Sequence, residues 1–130
     1  MERLFVYGTL MSGCGNNRLL SGARLVQSAQ VIGPWMMRDL GGIPAVTPSG
    51  RVGIIRGELW DNVSPAMLRM IDGLEGHPHW YERKPVVVFA NDGAVLETDV
   101  WMYVMPRDQV RGPLIPGGDW RRHRLDLTTA

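Results

Sequence analysis

The sequence contains a single cysteine, Cys14, and no long apolar run. One cysteine cannot form a disulfide within the chain, which argues against a secreted, disulfide-stabilised domain. No stretch approaches the roughly 18 apolar residues of a membrane-spanning helix. The N-terminus also lacks the apolar segment and cleavage site of a signal peptide. We therefore expect a cytoplasmic protein with no membrane partner.

An excess of charge of either sign is also absent. The 14 basic and 13 acidic residues give a formal net charge of +1, so no overall field would hold a polyanion. The C-terminal part is locally basic, and nucleic-acid contact through it is an alternative. A solvated surface is the favoured interpretation, and we predict no nucleic-acid partner, because acidic residues are interleaved with the arginines. The residues concerned are Arg107, Arg111, Arg121, Arg122 and Arg124, with Asp108, Asp119 and Asp126 among them.

Glycine and proline are abundant by contrast, at 16 and 9 residues. So many helix breakers argue against a long helical bundle, because they cannot all be placed outside its helices. We predict instead a single α+β domain over residues 1–130, with an antiparallel sheet or a closed barrel. The apolar runs between the breakers predict about six strands, near residues 3–7, 25–32, 35–40, 52–63, 85–90 and 94–104.

Local signals predict one convincing helix. It begins after Ser64, a good N-cap, with Pro65 at its first position, and Gly76 is placed to end it. Residues 16–20 could form one short helical turn. The chain from residue 106 onward is rich in proline and glycine, so we expect it to be irregular.

Two further glycines have a predicted structural meaning. Gly93 completes an Asn-Asp-Gly turn between two apolar runs, which is a strong hairpin signal. Gly57 interrupts the strand predicted at residues 52–63, and a glycine there indicates a bulge or a close approach of another backbone.

Two groups of reactive side chains carry weaker predictions. Cys14 with a histidine (His77, His79 or His123) is a conceivable nucleophile and base, but the glycines around Cys14 indicate a loop and favour an incidental thiol. His77 and His79 offer two metal ligands where a metal site needs three or four, so a polar loop is favoured. Phosphate-binding glycine patterns are absent. We expect neither a metal nor another cofactor.

Two local patterns remain as candidates for chemistry. Gly8 directly follows the first predicted strand, so the backbone N–H groups of the loop at residues 7–10 can turn outward and hold a carboxylate or an oxyanion. Glu75 lies at the C-terminal end of the predicted helix, where the helix dipole disfavours negative charge and raises a carboxyl pKa. A solvated Glu75 followed by a capping Gly76 is the alternative, and the residues alone favour it slightly.

These patterns, together with the blocks between them, resemble the γ-glutamylcyclotransferase-like family, also called AIG2-like. The family opens with a strand and Tyr-Gly-Ser/Thr-Leu, and its later signature is Asp-x-x-Glu-Gly, a short gap, Tyr-x-Arg and an apolar strand. Its middle blocks are Pro-Ala-Val and Gly-Glu-Leu-aromatic, and a Gly-Asp-Trp follows near the end. The matches run in order over nearly the whole chain, at residues 7–10, 44–46, 57–60, 72–76, 81–83 and 118–120.

The resemblance implies a small mixed or antiparallel β-barrel of about six strands with one main flanking helix. It also implies a metal-independent enzyme, in which the α-amine of a γ-glutamyl amide attacks its own γ-carbonyl. The ring closes to 5-oxoproline and the amine leaves. Glu75 would be the general acid and base, because one carboxylate can take a proton from the attacking amine and return one to the leaving amine.

The resemblance further implies a set of substrate-binding residues. Backbone amides of the 7–10 loop would hold the substrate carboxylate or carbonyl oxygen, and aromatic side chains would line the pocket. Arg83 could be a site charge or a structural ion pair, and both alternatives stay open. The predicted binding residues are Tyr7, Gly8, Thr9, Leu10, Tyr81, Arg83 and Tyr103.

An alternative function is a non-catalytic module that binds γ-glutamyl ligands on the same fold. The observation that supports this alternative is the stretch between Leu10 and Gly22, which is short and glycine-rich where many family members carry a longer helix. We expect a small-molecule γ-glutamyl partner and a monomer or weak homodimer. The sequence does not identify the leaving amine.

Overall fold

The computed structural model describes residues 1–106 and 110–129, without the side chains of residues 128 and 129. Arg107 and Asp108 of the basic C-terminal part lie outside the described residues. The elements follow in the order β1 (Glu2–Val6), a single 3₁₀ turn (Asn17–Leu20), β2 (Arg24–Asp39), β3 (Pro44–Val63), α1 (Pro65–Glu75), β4 (Glu82–Phe89), β5 (Val95–Val104) and α2 (Trp120–Thr129).

The strands form one sheet that closes into a ring in the order β1-β3-β2-β4-β5. β2 and β3 form a long antiparallel hairpin, in which Asp39 faces Pro44 near the turn. β4 and β5 form a second antiparallel hairpin, as the turn at Gly93 predicts. β1 closes the ring, antiparallel to β3 and parallel to β5. The predicted α+β class and closed, mixed sheet are confirmed.

The described chain contains five strands where the sequence predicted about six. The prediction of two separate strands at residues 25–32 and 35–40 is wrong, because β2 continues through Gly33 and Pro34 with a register shift between Gly33 and Trp35. Gly33 faces Gly53 on β3, and a Cβ on Gly53 would lie 2.4 Å from the Trp35 carbonyl oxygen. The two glycines let the hairpin bend while its strands remain paired.

Gly57 confirms the predicted close approach of a second backbone. A Cβ at this position would lie 2.1 Å from the carbonyl oxygen of Val6, the last residue of β1. The end of β1 therefore lies directly against β3, and this packing fixes the start of the 7–10 loop.

Helix α1 has the predicted ends. The Ser64 hydroxyl accepts a hydrogen bond from the Met67 amide at 3.1 Å, and Gly76 ends the helix with a φ of 68°. Leu68 and Ile71 are buried, which seats the helix on the sheet and brings Glu75, its last residue, toward the end of β1.

Helix α2 corrects the expectation of an irregular C-terminal region. Asp119 accepts a hydrogen bond from the Arg122 amide at 3.1 Å, as an N-cap does. Trp120 is buried, and His123 Nε2 lies 2.8 Å from an Asp39 carboxylate oxygen on β2. These tertiary contacts hold a largely polar helix that has little apolar periodicity of its own. No described helix has the length and apolar character to span a membrane.

Candidate active site

A cavity of about 230 Å³ lies between the end of β1 and the end of α1. It brings together seven of the residues predicted for the site, namely Tyr7, Gly8, Thr9, Leu10, Glu75, Tyr81 and Tyr103. Arg83 lies outside its lining. The remaining lining residues are Phe5, Val6, Asn16, Ile43, Pro44, Leu74 and Trp80.

The 7–10 loop uses its carbonyl groups within the protein and leaves its amides unpaired. The Gly8 carbonyl accepts a hydrogen bond from the Met11 amide at 3.0 Å, and the Thr9 carbonyl accepts one from the Asn16 amide at 2.9 Å. In the part of the chain that the structure describes, the N–H groups of Gly8, Thr9 and Leu10 donate to no acceptor. These donors in the cavity wall can hold a carboxylate or stabilise an oxyanion.

Gly8 is required by its contact with Pro44. A Cβ at residue 8 would lie 2.7 Å from Cγ of Pro44. The Pro44 carbonyl also accepts a hydrogen bond from the Tyr81 hydroxyl at 2.8 Å. Pro44 thereby packs the loop against one side of the cavity and fixes an aromatic wall on the other.

A buried carboxylate fixes the segment that follows the loop. Glu58 on β3 is only 3% exposed, and it accepts hydrogen bonds from the Ser12 amide at 2.7 Å and the Trp60 indole at 3.2 Å. Arg121 of α2 lies 3.4 Å from the same carboxylate and also donates to the Ser12 carbonyl. The sequence matched Glu58 only as part of a family block, and the structure shows that it holds the chain beside the cavity.

Glu75 is partly buried, and burial raises the pKa of its carboxyl from an ordinary value of 4.5 to about 7. The direction agrees with the sequence-based expectation, which rested on the helix dipole, and burial of the carboxyl is the cause that the structure identifies. Near neutral pH the carboxyl group therefore populates both protonation states, so it can accept a proton and return it within one reaction.

Three tyrosines form the walls around Glu75, with their hydroxyls held in hydrogen bonds. The Tyr7 hydroxyl donates to the Tyr103 carbonyl at 2.7 Å, and the Tyr103 hydroxyl donates to Asp72 at 2.6 Å. Burial is the largest cause that raises the pKa of Tyr7, Tyr81 and Tyr103, and the negative charge of Glu75 adds to it. All three phenols are therefore protonated at neutral pH and form a rigid aromatic frame.

Arg83 makes a structural ion pair behind this frame. Its Nε and Nη2 donate to the two carboxylate oxygens of Asp72 at 2.7 and 3.1 Å, and its guanidinium lies 4.5 Å from the Trp101 ring centroid. Burial opposes ionisation of Asp72, but the hydrogen bonds from Arg83 and Tyr103 outweigh it and keep the Asp72 pKa below its usual value. Of the two roles left open for Arg83, these contacts favour the ion pair.

The other reactive side chains form no second centre in the described residues. His77 Nδ1 accepts a hydrogen bond from the Arg83 amide at 3.2 Å, and Cys14 lies outside the cavity lining. Within residues 1–106 and 110–129, no group of three or more His, Cys, Asp or Glu side chains is placed to hold a metal ion.

Sequence reasoning did not assign seven residues of the cavity lining to the site, namely Phe5, Val6, Asn16, Ile43, Pro44, Leu74 and Trp80. They come from separate segments, and their separation along the chain gives no common pattern. Three of them carried a signal, because Pro44 and Leu74 lie within matched family blocks and Trp80 directly precedes the matched Tyr81.

Comparison with known proteins agrees with this fold. A solved structure of an AIG2-like protein from mouse superposes with a TM-score of 0.72 at 23% identity, covering 92% of this chain and 88% of that one. The family model described as "Gamma-glutamyl cyclotransferase, AIG2-like" matches residues 4–122. The chain therefore belongs to the γ-glutamylcyclotransferase, AIG2-like family.

Two relatives of known sequence are similar over most of their length. A Methanocaldococcus jannaschii protein, provisionally named a gamma-glutamylcyclotransferase, is 32% identical over 95% of this chain and 99% of its own length. The Niallia circulans "Gamma-L-glutamyl-butirosin B gamma-glutamyl cyclotransferase" is 29% identical over 96% of this chain and 79% of its own length.

Proposed function

We propose that this protein is a γ-glutamylcyclotransferase that converts a small-molecule γ-glutamyl amide into 5-oxoproline and a free amine. The family and the names of its relatives support the class of reaction. One observation carries the proposal for this chain: Glu75, with a pKa near 7, shares a cavity with the unpaired amides of the 7–10 loop.

The two sides of the cavity suit the two charges of this reaction. Ionised Glu75 accepts a proton from the substrate α-ammonium group, and the freed lone pair attacks the γ-carbonyl carbon. The carbonyl oxygen becomes negative as the ring bond forms, and the N–H groups of Gly8, Thr9 and Leu10 stabilise that charge or hold the substrate carboxylate.

Protonated Glu75 then donates to the amide nitrogen, and the bond between that nitrogen and the γ-carbon breaks. The ring nitrogen loses its remaining extra proton to the departing amine or to solvent, which leaves the neutral lactam nitrogen of 5-oxoproline and balances the reaction. The aromatic frame of Tyr7, Tyr81 and Tyr103 favours the folded substrate conformation that ring closure needs. A carboxylate and backbone amides supply each of these steps, so the proposed chemistry is metal-independent.

The direct test measures release of 5-oxoproline from a panel of γ-glutamyl amides. Glu75→Gln is expected to lower kcat/KM by about 10²–10⁴-fold, because glutamine cannot carry the proton. The matched control is Glu82→Gln, since Glu82 lies outside the cavity and pairs with Lys84 at 3.0 Å. Full activity in a folded Glu75→Gln variant would disprove the mechanism. Thermal stabilisation by the amides without turnover would favour the binding module instead.

The pH dependence gives an independent check. The attacking amine needs ionised Glu75, so kcat/KM is expected to rise with pH through about 7, the pKa of Glu75. Below that pH, kcat/KM should fall about tenfold per unit. A profile that is flat between pH 5 and 8 would contradict this role of the carboxylate.

A further inference from the structure

The opening of the cavity carries an apolar lip formed by Ile43, Leu74 and Trp80. These side chains line the same cavity as Glu75, yet they are 38%, 43% and 49% exposed. Large apolar side chains left this exposed and gathered at one opening indicate a surface that a ligand covers.

Two members of the apolar lip, Leu74 and Trp80, lie on the Glu75 side of the cavity. Leu74 directly precedes Glu75 on α1. Trp80 packs against Gly76, where an added Cβ would lie 3.1 Å from Cβ of Trp80. Ile43 directly precedes Pro44, which packs against Gly8 of the loop and whose carbonyl accepts a hydrogen bond from the Tyr81 hydroxyl.

Positive charge is missing from the lining of this cavity. Among the described residues that form it, none is Lys, Arg or His, and its ionisable side chains are Glu75 and tyrosines. Arg83, the cation predicted for the site, is paired with Asp72. A carboxylate on the leaving group would therefore find no cation in the lining and would lie near the negative charge of Glu75.

We propose that the leaving amine carries a large, uncharged apolar group that packs on the apolar lip. The inference rests on the proposed function. The γ-glutamyl half is held by the amides of the 7–10 loop, and Glu75 must reach both the attacking and the departing nitrogen. The group attached to the departing nitrogen therefore extends past Glu75 to Ile43, Leu74 and Trp80, where its burial contributes to transition-state binding.

The experiment compares three substrates that differ only in the leaving group. γ-Glutamyl methylamide lacks an apolar group, γ-glutamyl phenethylamide supplies one, and γ-glutamyl-phenylalanine adds a carboxylate to the same skeleton. Release of 5-oxoproline is measured for each. We expect kcat/KM for the phenethylamide to exceed that for each of the other two by about tenfold or more.

Two variants test whether the apolar lip causes this preference. Trp80→Ala and Leu74→Ser should each lower the phenethylamide-to-methylamide ratio of kcat/KM severalfold. The decrease for Trp80→Ala should be as large as about tenfold. The control is Met70→Ser, because Met70 is an exposed apolar residue of the same helix that lies outside the cavity lining. It should leave the ratio unchanged.

The outcomes separate this inference from the proposed function. Equal turnover of methylamide and phenethylamide, or a preference for γ-glutamyl-phenylalanine, would overturn the apolar leaving group while cyclisation itself stands. An unchanged ratio in both lip variants would also overturn it. If none of the three amides is cyclised, the proposed function fails and the inference fails with it.

Discussion

Glu75 shows how the partial burial of one side chain sets both its proton affinity and its contribution to the stability of the fold. Its folded-state pKa of about 7 lies above the ordinary value of 4.5. A carboxyl group with a raised pKa contributes fully to stability while it is protonated, below about pH 4.5. That contribution is lost as the pH rises through 7, because the buried group must then carry a charge. The property that suits Glu75 to proton transfer therefore destabilises the fold at alkaline pH.

This linkage predicts that Glu75→Gln is more stable than the natural protein at pH 8. The free energy of unfolding should rise by about 1–3 kcal/mol, because glutamine is neutral at every pH. The difference should shrink as the pH falls from 7 toward 4.5. Urea unfolding at several pH values measures it, with Glu82→Gln as the control. A difference that is constant with pH would show that ionisation of Glu75 is not its cause.

Strands β1 and β3 show how two elements place the 7–10 loop. The backbone of Val6 lies so close to Gly57 that no side chain fits between them. Glu58, the next residue of β3, fixes Ser12 on the far side of the loop. The loop is therefore held at both of its ends by the same strand.

We predict that Gly57→Ala destabilises the protein by about 2–3 kcal/mol, because the new methyl group meets backbone that cannot move aside. The matched control is Gly50→Ala in the same strand, where an added Cβ has nothing within 4 Å. That variant should stay within about 0.5 kcal/mol of the natural protein. Denaturant unfolding compares the two, and equal effects would contradict the close contact.

At the scale of the whole molecule, Asp39 at the end of β2 connects the long hairpin to the C-terminal helix. The carboxylate accepts hydrogen bonds from the amides of Gly41 and Gly42 at 2.8 and 2.9 Å, and it contacts His123 of α2. The Gly42 amide, with His123 and Gly41, outweighs burial and lowers the Asp39 pKa to about 2. One side chain thus fixes both the turn of the long hairpin and the C-terminal helix.

Asp39→Asn is predicted to lower the free energy of unfolding by about 1–2 kcal/mol at pH 7. Because the Asp39 pKa is lowered, its carboxylate contributes fully to stability at pH values above the ordinary pKa of 3.8. This contribution is lost as the pH falls through about 2. The difference in free energy of unfolding between the variant and the natural protein should therefore decrease as the pH falls from 4 to 2. Thermal unfolding across this range tests it, with Glu97→Gln at an exposed ion pair as the control. If this stability difference grew as the pH fell, the predicted direction of the pH dependence would be wrong.

The sequence predicted those elements whose signals are local. Ser64 and Gly76 lie next to the helix they bound, and Gly93 lies within the turn it makes. The continuation of β2 through Gly33 could not be predicted in this way, because the pairing with β3 keeps the bent strand in the sheet. Helix α2 was missed because the burial of Trp120 and the contact of His123 are made with distant strands.

Three features were evident from the amino-acid sequence alone: the order of the family blocks, the glycine after β1 and the carboxylate at the end of α1. Those features depend on neighbours in the chain, and they were enough to predict the class of reaction. The folded structure was needed to show that Glu75 is partly buried, that Arg83 is paired with Asp72, and that Ile43, Leu74 and Trp80 share one opening. Burial and contact between distant segments arise when the ring of strands closes, and no local pattern encodes them.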